Sequence, residues 1–282
     1  MPWAMLQGKH LYTDIFYFNG PLSPYWNFVI FKSLGVGLDS LVAVNLILLG
    51  IIVLFLFLVL RMASSYWIAI FGCTVFLMLF AFSQSISVGN YNYVTPYSHE
   101  VTHGMLLSLA MLFCLGSSLF KKNCLAVSFA GLILGLISLT KPEFFLASFF
   151  AMLGFLAMTL VLRNWRATII SFILILCTMT LPISAAFLLL LRKMPANFAL
   201  DSILGGWLYL GHASLSSLNF YQSSMGIIDF QFSLYAIAQC VLVYGLLFGV
   251  PIISCSANFN RSTAYAIAMV PVLLLCFVVV FL

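Results

Sequence analysis

SLVAVNLILLGIIVLFLFLVLR, Ser40 to Arg61, decides the fold class. Residues 40–60 carry no charge, and the run stops at an arginine. About 20 apolar residues in a helix match the hydrocarbon thickness of a bilayer. The same pattern returns along the chain at residues 66–83, 104–120, 124–140, 144–162, 167–191, 231–254 and 262–282. Charges punctuate it at Arg61, Lys121-Lys122, Lys141-Pro142-Glu143, Arg163 and Arg192-Lys193. The spacing predicts about eight transmembrane helices, most joined by hairpins of three or four residues.

Composition agrees. Of 282 residues, 64% are hydrophobic and 6% charged, too few polar groups to cover a water-facing surface. The 28 phenylalanines suit a surface that meets lipid. A net charge of +5 without any basic stripe excludes a nucleic-acid footprint. Seven cysteines, at 73, 114, 124, 177, 240, 255 and 276, form no C-x-x-C pair and lie in or beside apolar runs. They read as small buried hydrophobes rather than disulfides or ligands.

Alternating the crossings assigns each connection to a side. Arg61, Lys121, Lys122, Arg163, Arg166 and Arg261 fall on one side without an acid. Cations in short loops mark that side as cytoplasmic. The other side receives Asp14, Asp39, Glu100, Glu143, Asp201 and Asp229, all four histidines and the remaining basic residues. Long outer loops collect polar residues in any membrane protein. Here, several of these groups also abut helix ends, where they can converge on one cavity.

Two outer segments are long. Within residues 1–39, PYWNFVIFKSLG places Trp26, Val29, Ile30 and Ser33 at helical spacing and is too short to span, which predicts an interfacial helix. Residues 192–230 are rich in Gly, Ser and aromatics and are too polar to cross. Gly131 and Gly135, in small-xxx-small spacing, predict close helix packing. The sequence opens in an outer loop with no preceding crossing and stops within an apolar run. We expect a single transmembrane domain over 1–282 that is a fragment lacking its first helix and C-terminal part.

PYSHEVTHG, Pro96 to Gly104, carries His99, Glu100 and His103 in the spacing H-E-x-x-H. On a helix this sets two imidazoles one turn apart beside a carboxylate, the arrangement of zinc metalloproteases. Ser98 can cap a helix that begins at His99. A third ligand is offered only by residue type, from Asp201, His212 or Asp229, and Gly104 weakens the helix. The plainer alternative is an interfacial cluster in which Glu100 faces the positive end of the helix dipole. A divalent metal held by His99 and His103 stays open at this point.

Three stretches together carry a resemblance. LYTDIFYFNGPLSPYWNFVIFKSLG, with Tyr12, Asp14, Phe16, Gly20-Pro21-Leu22 and Tyr25, resembles the first outer loop of the GT-C glycosyltransferases. The likeness is to family 39, the protein-mannosyltransferase and aminoarabinose-transferase group. NYNYVTPYSHEVTHGMLLSLAMLFCL stands where that group has its second outer loop. GLILGLISLTKPEFFLA resembles its glycine-rich helix ending in Leu-Thr-Lys-Pro. The likeness covers roughly residues 8–165. It implies an all-α polytopic membrane protein, a GT-C-like bundle whose first outer loop carries an interfacial helix.

The resemblance also implies an activity. A sugar is transferred with inversion from a polyprenyl-phosphate donor to an acceptor at the outer face, in a bacterial inner membrane with the active face outward. Asp14 matches the loop acid and is expected as the general base; its alternative role is to form a turn. Glu100, His99 and His103 are expected to bind the sugar or phosphate, or to hold Asp14. Tyr12 belongs to the same loop motif. Lys141 either holds a phosphate or pairs with Glu143. Arg192 and Lys193 either bind lipid phosphate or anchor at headgroups. Trp207, Tyr209, His212 and Tyr221 line the sugar or acceptor site, or serve as interfacial aromatics. Asp14 is flanked by Thr13 and Ile15 rather than by a second acid, which argues against protein mannosylation. The alternatives are a zinc metalloprotease and a non-enzymatic transporter or flippase. The near absence of charge within the crossings counts against transport.

Overall fold

The computed structural model describes residues 1–82 and 91–211, with residues 219, 222, 228–236, 238–239 and 242. It divides into two compact units, Met1–Gly211 and His212–Leu282. In the second, residues 230–236 are helical, and Ser233 N donates to Asp229 O at 2.9 Å. The first unit is the larger.

Its described elements are helices: α1 (Pro2–Leu6), α2 (Leu22–Leu34), α3 (Leu38–Ala63), α4 (Tyr66–Val75), α5 (His99–Lys121), α6 (Cys124–Ser138), α7 (Pro142–Leu162), α8 (Trp165–Leu191) and α9 (Ala196–Gly211). After α4 the chain widens into a π-helical turn, Phe76–Ala81. Four helices are long and apolar enough to cross a membrane: Leu38–Ala63, His99–Leu119, Pro142–Leu162 and Trp165–Leu191. Two further apolar stretches, Tyr66–Ala81 and Cys124–Ser138, are shorter. The six apolar runs expected within residues 40–191 are thus all helical, but only four reach spanning length. The runs expected at 231–254 and 262–282 lie largely or wholly outside the described residues.

The helices start and stop where the sequence gives physical reasons. Asn123 and Asn164 cap α6 and α8, accepting from Leu125 N at 3.0 Å and Ala167 N at 2.8 Å. Pro142 occupies the first turn of α7, where its missing N–H costs nothing. Lys122 ends α5 in a left-handed conformation, φ 52°. At that same end Arg163 Nη2 donates to the Ser118 and Leu119 carbonyls, at 2.5 and 3.2 Å, closing the C-terminus of α5.

On α2 and α9 burial runs opposite to that of a water-soluble helix. On α2 the buried residues are Ser23, Pro24, Asn27 and Ile30, whereas Trp26 and Val29 are exposed. On α9 Ala199 and Ser202 face inward, and Leu200, Leu204, Trp207 and Leu208 face out. Large apolar side chains such as Ile47, Phe71, Phe150, Val161 and Phe172 also lie on the outside. Such a surface is stable against lipid and not against water.

The core is built on α6. Met111 and Leu115 of α5, Leu134 and Ile137 of α6, Phe155 of α7 and Ile175 of α8 pack into one cluster. The tightest seam joins α6 to α8 through the glycine pair. A Cβ on Gly131 would run into Thr178 Oγ1 and stand 2.6 Å from the Ile175 carbonyl oxygen. One on Gly135 would meet the Met179 carbonyl and stand 2.5 Å from Pro182 Cγ. Small-xxx-small spacing has the packing role expected of it. Asn45, buried in α3, donates to Val94 O at 3.0 Å and ties that span to the 91–98 segment.

Two expectations are corrected here. Of the four described cysteines, all free, only Cys73 is buried; Cys114 is half-buried, and Cys124 and Cys177 are exposed. A thiol is apolar enough to face lipid, so burial was not required of it. Residues 192–230 are also not all loop, since α9 occupies Ala196–Gly211. The signal was present: Leu200, Ile203, Leu204, Trp207 and Leu208 follow the i, i+3, i+4 pattern. The small residues Gly205 and Gly206 masked it.

The 1–21 segment is fastened to the α6–α7 turn. Gly20 N donates to Thr140 O at 2.9 Å and Leu22 N to Leu139 O at 3.0 Å. A Cβ on Gly20 would overlap the Leu139 carbonyl. Gly20→Ala is therefore expected to lift the segment off the turn, at a cost of about 1–3 kcal/mol. The measurement is trypsin cleavage after the exposed Lys9, expected to be several-fold faster than in the unaltered chain.

Candidate functional site

The site begins with the loop that Gly20 clamps. Within it Tyr12 is buried and takes φ 74°, a conformation disfavoured for a bulky side chain. Its hydroxyl donates to Asn19 O at 2.8 Å, and its ring lies 6.1 Å from that of Tyr17. Asp14 stabilises the bend, its Oδ2 accepting from His10 N at 2.7 Å. The result presents Tyr17, Phe18 and Asn19 on one wall of a cavity of about 480 Å³.

Further lining comes from α2, the start of α5 and the α6–α7 turn. They contribute Ser23, Asn27, Ser98, His99, Glu100 and Lys141. Glu100, in the first turn of α5, is buried. Tyr17 Oη donates to its Oε1, and Ser98 Oγ donates to its Oε2 at 2.6 Å. Ser98 stands at the cap position expected of it, but its hydroxyl serves Glu100 rather than the helix N–H groups. Burial, then the negative charge of Glu100 and the hydrogen bond to it, push the Tyr17 phenol far above its ordinary pKa. Tyr17 thus stays protonated and remains a donor. Burial also raises the Tyr91 phenol, whose hydroxyl donates to Ser98 O at 2.8 Å and lies 2.5 Å from Thr102 Oγ1.

His99 and His103 both point inward from α5, their ring centroids 6.2 Å apart. His103 Nδ1 is 2.8 Å from Ser23 Oγ, and Trp26 meets the imidazole edge-on. His99 Nδ1 and His103 Nε2 are buried with no hydrogen-bond partner in the protein. A zinc site of the protease kind needs three protein ligands. Among the described residues no group of three His, Cys, Asp or Glu side chains gathers to hold a metal. His103 already spends one nitrogen on Ser23. Among the described residues the donor set therefore stops short of the three ligands of a catalytic zinc, and His212, a candidate third ligand, lies outside them.

The predicted site residues divide. Glu100, His99 and Lys141 share the cavity lining, and His103 lies directly behind Ser23. Tyr12 supports the loop from beneath. Asp14 is exposed, is not among the lining residues, and uses its carboxylate in the turn. Glu143 is exposed and pairs with Lys141 at 3.9 Å. Arg192 and Lys193, exposed at the end of α8, do not line the cavity. Trp207 meets Phe145 edge-on at 6.0 Å, also away from it. His212 and Tyr221 lie outside the described residues, as does the side chain of Tyr209. Sequence reasoning missed Tyr17, Asn19, Ser23 and Asn27; the polar inward face of α2 was the available signal.

The chain matches no protein-family model, no curated protein and no solved structure. Two of the quoted stretches meet in space, since Gly20-Pro21-Leu22 docks on Leu139-Thr140.

Proposed function

We propose that the chain transfers a sugar from a polyprenyl-phosphate donor to an acceptor hydroxyl at this cavity, with inversion. The observation that carries the reading is the position of Glu100. It is a buried carboxylate, oriented through both oxygens, in the lining of a cavity at one end of the membrane-spanning helices that Lys141 also lines. In this reading the acceptor oxygen attacks the anomeric carbon while Glu100 takes its proton. The bond from that carbon to the phosphate oxygen breaks, and polyprenyl phosphate leaves with the electron pair. Lys141 meets the charge that develops on the phosphate. The motif resemblance supports the donor class, and we assign the base to Glu100 rather than Asp14 because Glu100 lines the cavity and Asp14 does not. Asp14 and Tyr12 then act as positioning residues, holding the wall that carries Tyr17.

The test uses the full chain in lipid nanodiscs with a panel of polyprenyl-phosphate sugars. The readout is release of polyprenyl phosphate. Turnover is expected with at least one donor, and Lys141→Gln is expected to raise the donor KM by roughly tenfold or more, the worth of a charge-assisted contact to phosphate. Absence of turnover with every donor, alongside peptide cleavage that requires zinc, would overturn the reading in favour of a protease.

A further inference from the structure

A second cavity, with charged and hydroxyl-bearing residues in its lining, lies at the other end of α5. It measures about 450 Å³ and is bounded by the C-terminus of α5, the end of α7 and the first turns of α6 and α8. Alpha-helix α5 has 23 residues, so at about 1.5 Å per residue the two cavities are roughly 34 Å apart. Ser118, Lys122, Arg163, Asn164 and Ser171 supply its polar wall, and Leu162 and Ile170 are apolar.

Three features make this cavity suited to an anion. The connections at residues 121–123 and 163–166 hold Lys121, Lys122, Arg163 and Arg166 and no acid. The Lys141–Glu143 contact is the ion pair present among the described residues, so no carboxylate neutralises Lys122 or Arg163 there. Arg163 is held in the wall through one terminal nitrogen by the Ser118 and Leu119 carbonyls. The first turns of α6 and α8 add the positive ends of two helix dipoles. Ser118, fully buried, belongs to the same lining, and its hydroxyl oxygen has no hydrogen-bond partner in the protein. A buried hydroxyl without a partner is destabilising, and a bound acceptor would relieve it.

We infer that this cavity binds a phosphate-bearing anion, with Lys122 and Arg163 meeting its charge and the Ser118 hydroxyl donating to one of its oxygens. The source is either the headgroup of an anionic phospholipid or free phosphate. The inference is independent of the sugar-transfer reading.

The experiment follows thermal unfolding of the full chain in a neutral detergent. The probes are dioctanoyl phosphatidic acid, inorganic phosphate and, as the phosphate-free control, dioctanoylglycerol. The unaltered chain is expected to be stabilised by a phosphate-bearing probe and not by the control. A shift with phosphatidic acid alone identifies a lipid headgroup, and a shift with inorganic phosphate as well identifies the free ion; both support the site. Lys122→Asn keeps the left-handed turn and loses the charge, whereas Ser118→Ala loses only the hydroxyl. Each is expected to need at least fivefold more probe for the same shift, with probe-free melting confirming that it folds. No shift with either phosphate probe, an equal shift with dioctanoylglycerol, or unchanged half-saturation in both variants would overturn the proposal.

Discussion

Glu100→Gln is expected to lower kcat for sugar transfer by about a hundred- to ten-thousandfold, the usual worth of a positioned general base. Asp14→Asn is expected to stay within about threefold, as for an exposed substitution that keeps a hydrogen-bonding side chain. The contrast follows from where the two carboxylates stand. Glu100 lines the cavity with Tyr17 and Ser98 on its two oxygens. Asp14 lies outside the lining and accepts from His10 N. The glutamine keeps the size and one acceptor oxygen, so folding is preserved and the loss reports proton transfer. Single-turnover measurement on both variants decides it. If Asp14→Asn loses activity and Glu100→Gln does not, the base is the loop acid.

The second large effect is on the fold. Gly131→Leu or Gly135→Leu is expected to cost about 3 kcal/mol or more and to give aggregated or poorly expressed protein. Overpacking is usually absorbed by a neighbouring side chain that turns away. Here the opposing atoms are the Ile175 and Met179 backbones, which cannot turn without parting α6 from α8. By contrast, a Cβ at Gly154 of α7 would meet nothing within 4 Å, so Gly154→Ala serves as the control and is expected to leave the melting temperature unchanged or raised. Size-exclusion profiles and thermal melts in detergent give the comparison.

Much of the fold was legible because membrane crossing is a one-dimensional property. A charge-free run long enough to span reads directly as a helix, and Arg61, Lys121 and Arg163 mark where such runs end. The start of α5 was also legible, from Ser98 followed by Glu100. Length was less so. Tyr66–Ala81 and Cys124–Ser138 are apolar yet shorter than the spanning helices, and hydropathy alone does not mark where they end.

The site was legible only in part, for a physical reason. Glu100, His99 and Lys141 announce themselves by type at helix ends, where polar groups are scarce. Tyr17 and Asn19 do not, because their placement depends on Gly20 meeting Leu139, more than a hundred residues later in the chain. No periodic signal encodes that contact. Asp14 illustrates the converse. Its residue type and motif invite a chemical role, but the local turn claims its carboxylate first.

The docking of Gly20 has one more consequence. The segment that carries Tyr17 to Asn19 hangs from the turn that ends in Lys141, joined by two backbone hydrogen bonds. These two parts of the lining are therefore tied to one frame, and widening the cavity between them is expected to require breaking both bonds.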